Sequence, residues 1–156
     1  MKKTRVISAY PCCGKTWAYE NLKDKYSILD SDSSKFSWLF DDEGVNTHER
    51  NPDFPANYIQ DIKDNIGKVD YIFVSTHLAV REALEKAGID FVTVYPKDSA
   101  KEEWLERMKN RGNYASFIET QSRFWNERMG EIENEPHGSE LFRLGGNEYL
   151  SDLMWF

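Results

Sequence analysis

The residues with the clearest chemical potential are Gly14, Lys15 and Thr16, which follow a β-prone run and open a segment with helical spacing. A strand-to-helix turn of this kind attracts an anion, because its backbone N–H groups and the helix amino terminus carry partial positive charge. The lysine can reach the β- and γ-phosphates of a nucleotide, and the threonine hydroxyl can bind Mg²⁺. The pattern therefore predicts a phosphate-binding loop over residues 9–16, with ATP and Mg²⁺ as its ligands.

The first half of this loop, AYPCC, departs from the GxxxxGK(S/T) pattern, because Ala9 stands where the first glycine is expected. Alanine excludes most positive φ angles, whereas glycine adopts them freely. Pro11 fixes its own φ near about −65°, so it offers another route to the same turn. Cys12 and Cys13 are small and leave the loop amides exposed; the alternative is thiolate chemistry, which a helix amino terminus and a neighbouring lysine favour. The residues predicted to bind the nucleotide are Tyr10, Pro11, Cys12, Cys13, Gly14, Lys15 and Thr16.

Phosphoryl transfer also needs a carboxylate near the acceptor hydroxyl or the metal. Asp30 and Asp32 end the second predicted strand, and strand alternation points both to the same side. Asp32 lies further out, so it is the preferred catalytic and metal-binding carboxylate. The alternative is a capping and turn cluster, which Asp and Ser often form. At the tip of the central strand Ser75 stands where a Walker-B acid is expected, a departure that favours a kinase over a motor or switch ATPase.

Two arginines are candidates for neutralising the charge on a transferring phosphoryl group. Arg107 and Arg111 lie four residues apart and therefore share one helix face. Two guanidinium groups that point the same way suit the charge that develops in the transition state. The alternative is a solvated face on which they pair with Glu103 and Glu106.

The acceptor side is marked less clearly in the sequence. Arg81 could bind an acceptor phosphate, with Arg123 and Arg128 as weaker candidates. His77 is interpreted as a hydrogen-bonding residue at a strand end rather than a base. The ring of Phe36 either belongs to the core or stacks on an acceptor base. The full set of predicted acceptor-binding residues is Asp30, Ser33, Phe36, His77 and Arg81.

The elements that must position these groups alternate between strand and helix. Apolar, β-prone runs predict strands at residues 4–9, 26–32, 70–77, 90–96 and 140–144. This alternation predicts an α/β fold with a mainly parallel sheet of about four to five strands flanked by helices. Ligands of such sheets bind beyond the carboxyl ends of the strands, so the candidate groups should gather at one edge.

The segments between the strands differ in character. Residues 41–57 contain glycine, two prolines and many polar groups, which predicts a loop and makes them a candidate lid or acceptor-binding segment. Helices are predicted over 99–111 and 114–133, separated by a Gly-Asn break, and a closing helix over 147–156.

Composition limits the class of protein. A chain of 156 residues suits a single domain over residues 1–156. The net charge of −7 argues against duplex nucleic acid as a partner, because neutralising phosphates needs a basic face. Two adjacent cysteines make neither a disulfide framework nor a zinc site. With no apolar run of ~20 residues and no secretory signal, we expect no membrane association and a cytoplasmic location.

Three segments, AYPCCGKT, ILDSDSSKFSW and RMKNRGN, together resemble the P-loop nucleoside and nucleotide kinases, particularly small kinase-like proteins of phages and prophages. The resemblance spans most of the chain in order. It implies a three-layer P-loop NTPase fold, a LID-like helical region over 99–133, and the host cytoplasm as location if the protein is phage-encoded. The roles it implies fall on Lys15 and Thr16 for ATP and Mg²⁺, Asp32 for the acceptor, and Arg107 and Arg111 for the phosphates.

The predicted function is therefore transfer of the ATP γ-phosphate to a small-molecule nucleotide or nucleoside. One alternative is a non-catalytic module that binds ATP or GTP, as a degenerate kinase would. Another is a polynucleotide 5′-end kinase, which needs a basic groove that the acidic total charge argues against. The identity of the acceptor and the oligomeric state stay open at this point.

Overall fold

The computed structural model describes residues 2–154, and its central element is a parallel sheet. Within those residues the strands are β1 (Arg5–Ala9), β2 (Ile28–Asp30), β3 (Trp38–Phe40), β4 (Asn46–Arg50), β5 (Tyr71–Val74), β6 (Val92–Pro96) and β7 (Glu140–Leu144). Five of them pair in the spatial order β2-β5-β1-β6-β7, and every pairing in this sheet is parallel. The predicted α/β class and the parallel sheet flanked by helices are confirmed.

Helices cover both faces of the sheet. They are α1 (Lys15–Leu22), α2 (Ser34–Ser37), α3 (Ala56–Asn65), α4 (Leu78–Lys86), α5 (Lys101–Asn110), α6 (Ala115–Arg123) and α7 (Trp125–Asn134). None of these helices, all within residues 2–154, is long and apolar enough to span a membrane.

Each face of the sheet has its own hydrophobic core. On one face Ile7 of β1 packs with buried residues of α1, α5 and α7, and on the other face Val6 packs with α3 and α4. Neighbouring residues of a strand point to opposite faces, so β1 and β5 each contribute to both cores. This arrangement explains why four consecutive residues of β5, Tyr71–Val74, are all buried.

The middle strand, β1, has β5 on one side and β6 on the other. The chain first adds β2 and β5 on one side of β1, and then crosses to add β6 and β7 on the other side. Open α/β sheets bind their ligands where the direction of building reverses, beyond the carboxyl ends of the strands. The loop that follows β1 lies at this position.

The loop predicted over residues 41–57 instead contains a strand. β3 and β4 form an antiparallel hairpin in which Trp38 lies opposite Arg50. The Arg50 guanidinium lies 4.4 Å from the centre of the Trp38 ring, and Gly44, at φ +80°, lies in the connecting turn. Both strands are largely exposed, and β4 (NTHER) has the polar composition of a loop. Pairing with the apolar β3 (WLF) supplies the order that the composition of β4 does not indicate.

Two helix predictions were also wrong in extent. The helix predicted over 114–133 is divided at Phe124, whose φ of −101° and ψ of 15° lie outside the helical range. The closing helix predicted over 147–156 is reduced to one 3₁₀ turn, Leu150–Leu153, and its last two residues lie outside the described part of the chain. The Leu150 N–H donates to the loop after β1, which fixes the start of this turn.

Candidate functional site

The loop between β1 and α1 directs its carbonyl groups into the protein, where donors from distant parts of the chain bind them. The indole N–H of Trp104 donates to Pro11 O at 3.0 Å, the guanidinium of Arg107 donates to Cys12 O at 3.0 Å, and the N–H of Leu150 donates to Cys13 O at 2.7 Å. Each of these carbonyls is therefore satisfied within the protein.

The N–H groups of the same loop are available to a ligand. In a trans peptide the N–H points away from the C=O, so carbonyls held inside direct the next N–H outward. The N–H groups of Cys12 and Gly14 have no hydrogen-bond partner within residues 2–154, and the first turn of α1 leaves those of Lys15 and Thr16 without intrahelical partners. Cys12 at φ 67° and Gly14 at φ 96° give the backbone the left-handed steps of an anion-binding nest.

The structure answers the question that Ala9 raised. Ala9 is the last residue of β1, pairs with Val94 and is fully buried in extended backbone. No glycine is needed at this position, because the turn is made later, by Cys12 in the left-handed conformation. The left-handed conformation is less stable by roughly 1–2 kcal/mol for an L residue. The unfavourable conformation in this loop is therefore at Cys12, and not at Ala9 or Pro11.

Lys15 begins α1 and lies among several charges without forming an ion pair to any described residue. Burial lowers the pKa of its ammonium group from the ordinary value, and the Asp30 carboxylate opposes that effect more than Asp32 does. An unpaired, partly buried ammonium is poorly stabilised in the free protein. Its surroundings therefore favour the arrival of an anionic ligand.

One side of the loop opens on a cavity of about 660 Å³. Its walls come from the loop, from the carboxyl end of α5 and from the segment after β7, with Thr16, Trp17, Asn110, Arg111 and Tyr149 among the lining residues. Its volume lies within the range of sites for small ligands and cofactors. The cavity joins an anion-binding loop to aromatic walls, a combination that suits a phosphorylated ligand with a flat ring.

Both predicted transition-state arginines line this first cavity. The guanidinium of Arg107 also donates to Gly146 O at 2.9 Å and Glu148 O at 2.7 Å, and it lies between the rings of Trp104 and Tyr149. With its donors held by backbone carbonyls, Arg107 is placed to shape the loop from behind. Arg111 is exposed, and its nearest polar contact is Cys12 Sγ at 3.8 Å; neither arginine pairs with a glutamate of α5.

The opposite side of the loop opens on a second cavity of about 380 Å³. Tyr10, Ser75, His77, Arg128 and Glu131 line it, together with Pro11 and Lys15, which also line the first cavity. Lys15 therefore forms part of the wall between two cavities.

The carboxylates after β2 differ in how they are engaged. The Oδ1 atom of Asp32 accepts the N–H of Ser34 at 2.9 Å, which is the turn arrangement considered as its alternative. Asp30 is half-buried and has no hydrogen-bond or ion-pair partner for its carboxylate within residues 2–154. Of the two, Asp30 is the freer carboxylate and the one with the stronger influence on Lys15.

The remaining predicted acceptor residues are distributed between the site and the core. His77 lines the second cavity, and burial, followed by the nearby Arg128 and Lys15, lowers its pKa. Ser33 is buried before α2, and Phe36 packs against the ring of Tyr58 at 5.2 Å, as a core residue does.

Arg81 is completely buried and lines neither cavity. Its guanidinium donates to the carbonyls of Thr76 and Glu135 and forms an ion pair with Glu131 at 3.2 Å. These contacts connect the turn before α4 with the carboxyl end of α7. The structure thus gives Arg81 a visible role in holding one wall of the second cavity, and its predicted role as a phosphate ligand stays a prediction.

Three residues with clear places in the site had little or no signal in the sequence. Trp104 donates to the loop at Pro11 O, and Tyr149 lines the first cavity. Arg128, only a weak candidate in the sequence, lines the second cavity. Local spacing gives no indication of these places, because each residue reaches the site through tertiary packing from a distant element.

A magnesium ion suits this donor set only if the ligand supplies part of its coordination. No cluster of three or more His, Cys, Asp or Glu side chains able to hold a metal occurs within residues 2–154. Mg²⁺ keeps several waters and often binds through one or two protein groups and substrate phosphates. The exposed hydroxyl of Thr16, beside the unpaired loop amides, fits that mode.

Comparison with known proteins gives no family. No family model matches the chain, and no curated protein matches it significantly.

Proposed function

We propose that the protein is an ATP-dependent phosphotransferase of the P-loop kinase kind, acting on a nucleotide or nucleoside. The observation that carries the proposal is a loop with unpaired amides whose lysine lies between two cavities. A nucleotide-binding module needs one cavity at such a loop, whereas a transferase needs a donor site and an acceptor site that meet at the phosphate. The first cavity suits ATP, and the second suits the acceptor.

Catalysis in this proposal comes mainly from positioning and charge neutralisation. The loop amides and Lys15 hold the β- and γ-phosphates, and the exposed Arg111 lines the first cavity. Thr16 and the phosphates would hold Mg²⁺, which supplies further charge neutralisation when bound. Arg107 is a positioning residue here, since its contacts maintain the loop.

The transfer step is an in-line displacement. An acceptor oxygen forms a bond to the γ-phosphorus, and the bond from that phosphorus to the bridging oxygen breaks with its electron pair on ADP. When the acceptor is a hydroxyl group, its proton needs a base. Between the two carboxylates after β2, Asp30 is the candidate for this role ahead of Asp32, because it influences Lys15 more strongly and Asp32 is engaged by the Ser34 N–H.

The test is ADP release from Mg-ATP in the presence of nucleosides, mononucleotides and 5′-hydroxyl oligonucleotides. Lys15→Met should lower kcat/KM by about 100-fold or more, while circular dichroism stays unchanged. Lys63→Met on the exposed face of α3 is the matched control and should behave as the wild-type protein does. Equal turnover in the Lys15 variant would remove the proposal.

A non-catalytic nucleotide-binding module is the second candidate, and one observation favours it. The strand beside β1 is followed by Ser75, whose buried hydroxyl has no hydrogen-bond partner within residues 2–154, where a metal-binding acid is expected. This candidate predicts ATP binding that depends on Lys15 but no ADP release with any acceptor. Preferential use of 5′-hydroxyl oligonucleotides would instead identify a polynucleotide end kinase.

A further inference from the structure

We propose that the acceptor is itself a phosphate monoester, a mononucleotide rather than a nucleoside, and that Arg128 binds its phosphate in the second cavity. This inference rests on the proposed function and narrows its acceptor class. It is carried by the charges and hydrogen bonds of the residues that line this cavity.

The second cavity is lined by more positively charged than negatively charged side chains. Lys15, Arg128 and Glu131 line it, and Glu131 is already paired with the buried Arg81. Neither Lys15 nor Arg128 has a carboxylate partner within 4 Å among residues 2–154. Both cations thus face the cavity without an ion-pair partner among the described residues. ATP in the first cavity engages Lys15, which leaves the Arg128 guanidinium for an anionic acceptor.

Arg128 is held in place relative to the loop. Its Nη1 atom donates to Gln121 Oε1 at 3.1 Å, and the same oxygen accepts the hydroxyl of Tyr10 at 3.1 Å. Gln121 is only 4% exposed, and Tyr10 is the first residue of the loop after β1. A guanidinium group carries five N–H donors. Within residues 2–154 Arg128 bonds Gln121 and also interacts with the Tyr10 hydroxyl, so its remaining donors are available to phosphate oxygens.

Most of the charged groups around the second cavity disfavour protonation of His77. Besides burial, Arg128, Lys15 and Arg50 of β4 each lower the pKa of His77, whereas Glu131 opposes them. The imidazole is therefore neutral near pH 7 and can donate one hydrogen bond to an oxygen anion. With Lys15 engaged by ATP, a neutral nucleoside would leave the Arg128 guanidinium without a counter-charge.

A mononucleotide acceptor also fits the chemistry of the transfer. Its phosphate is largely a dianion at pH 7, because its second pKa is about 6, so the attacking oxygen needs no base. That oxygen bonds to the γ-phosphorus, the bridging bond to ADP breaks, and the products are ADP and a nucleoside diphosphate. The cavity of about 380 Å³ suits a small ligand, whereas the net charge of −7 disfavours a polynucleotide.

Arg123, the other weak candidate in the sequence, lines neither cavity, and its close contact within residues 2–154 is the ring of Phe124 at 6.0 Å. The experiment therefore compares Arg128→Gln with Arg123→Gln as the control on the neighbouring helix. ADP release is measured with mononucleotides and with the corresponding nucleosides, and ATP affinity is measured with a fluorescent analogue. Wild-type kcat/KM should favour mononucleotides by about 100-fold. Arg128→Gln should raise the KM for the mononucleotide at least about tenfold while ATP affinity is unchanged, and Arg123→Gln should match wild type.

Three results would overturn the inference: nucleosides used as well as mononucleotides, preference for oligonucleotides, or identical kinetics in the two variants. If no acceptor releases ADP, the proposed transferase function fails, and the inference is then judged by calorimetric binding of mononucleotides alone. Binding that is lost in Arg128→Gln but kept in Arg123→Gln supports an anion site at Arg128. Equal binding to both variants, or none to wild type, refutes it.

Discussion

Arg107 gives the sharpest prediction about how the loop is built. The sequence assigns it to the transferring phosphate, whereas the structure shows its guanidinium bound to three backbone carbonyls and stacked between two aromatic rings. Replacing it with methionine keeps much of the apolar stem and removes the donors. Its carbonyl partners, including Cys12 O, would then lose their interior donor.

The expected loss of stability follows from these contacts. Hydrogen bonds to a charged group contribute about 1.5–3 kcal/mol each in favourable settings, and the half-buried position of Arg107 reduces each to roughly 1 kcal/mol because water can replace the donor. The two ring contacts add about 0.5–1 kcal/mol each. We therefore expect Arg107→Met to lower the free energy of unfolding by about 4–5 kcal/mol, from three hydrogen bonds and two ring contacts.

Urea unfolding followed by tryptophan fluorescence measures this loss, with Arg111→Met as the matched control on the same helix. The control should stay within about 0.5 kcal/mol of wild type, because Arg111 is exposed and has only a distant sulfur contact. ATP affinity should fall in the Arg107 variant as well, since the loop loses one of its anchors. Unchanged stability combined with a large loss of turnover would refute this reasoning and assign Arg107 to the transition state instead.

The remaining predictions concern the loop itself. Gly14→Ala should weaken ATP binding by about tenfold, measured with a fluorescent analogue, because φ is +96° and a Cβ atom would lie 3.2 Å from Tyr149 Cδ1; unchanged affinity would contradict it. In the folded protein an alkylating reagent at pH 8 should modify Cys12 and spare Cys13, because burial raises the pKa of Cys13 to about 12. Mass spectrometry counts the adducts, and equal labelling of both thiols would contradict the buried position. The ordinary pKa of a lysine ammonium group is 10.5, and burial lowers the pKa of Lys15 below that value. Lys15 therefore loses its proton at a lower pH than an exposed lysine does, and ATP affinity should fall as the pH rises toward 10.5. Titrations between pH 8 and 10.5 test this, and an affinity that is flat over the range would contradict it.

The architecture was largely predictable because it depends on local patterns. The apolar run of β5 predicted a strand buried on both faces, and alternation of strands and helices predicted a parallel sheet. The position of the Gly14-Lys15-Thr16 segment between a strand and a helix was also predictable from the flanking sequence. These features depend on neighbours in the sequence, so sequence patterns could indicate them.

Features that depend on distant contacts were not predictable. Arg107 and Cys12 are 95 residues apart in the chain, and only the packing of α5 behind the loop brings them together. Arg81 is completely buried against α7, and no residue near it in the sequence indicates this burial. Strand β4 has the composition of a loop and is ordered by pairing with β3.

The departure from the motif at Ala9 also has a structural explanation that residue types do not give. The GxxxxGK(S/T) pattern assigns the flexible position to the first glycine, but here the left-handed step falls on Cys12, three residues later. A pattern that records residue types does not record where a particular loop bends. The backbone angles show that alanine suits its position in β1.

The central claim is that the γ-phosphate passes from the first cavity to the second. Its most direct test incubates the protein with ATP labelled in the γ-phosphate and each acceptor, and separates the products by chromatography. We predict that the label appears on a mononucleotide, and that Lys15→Met abolishes this product while Lys63→Met does not. Label that stays in ATP, or that appears only as free phosphate with every acceptor, would contradict the claim.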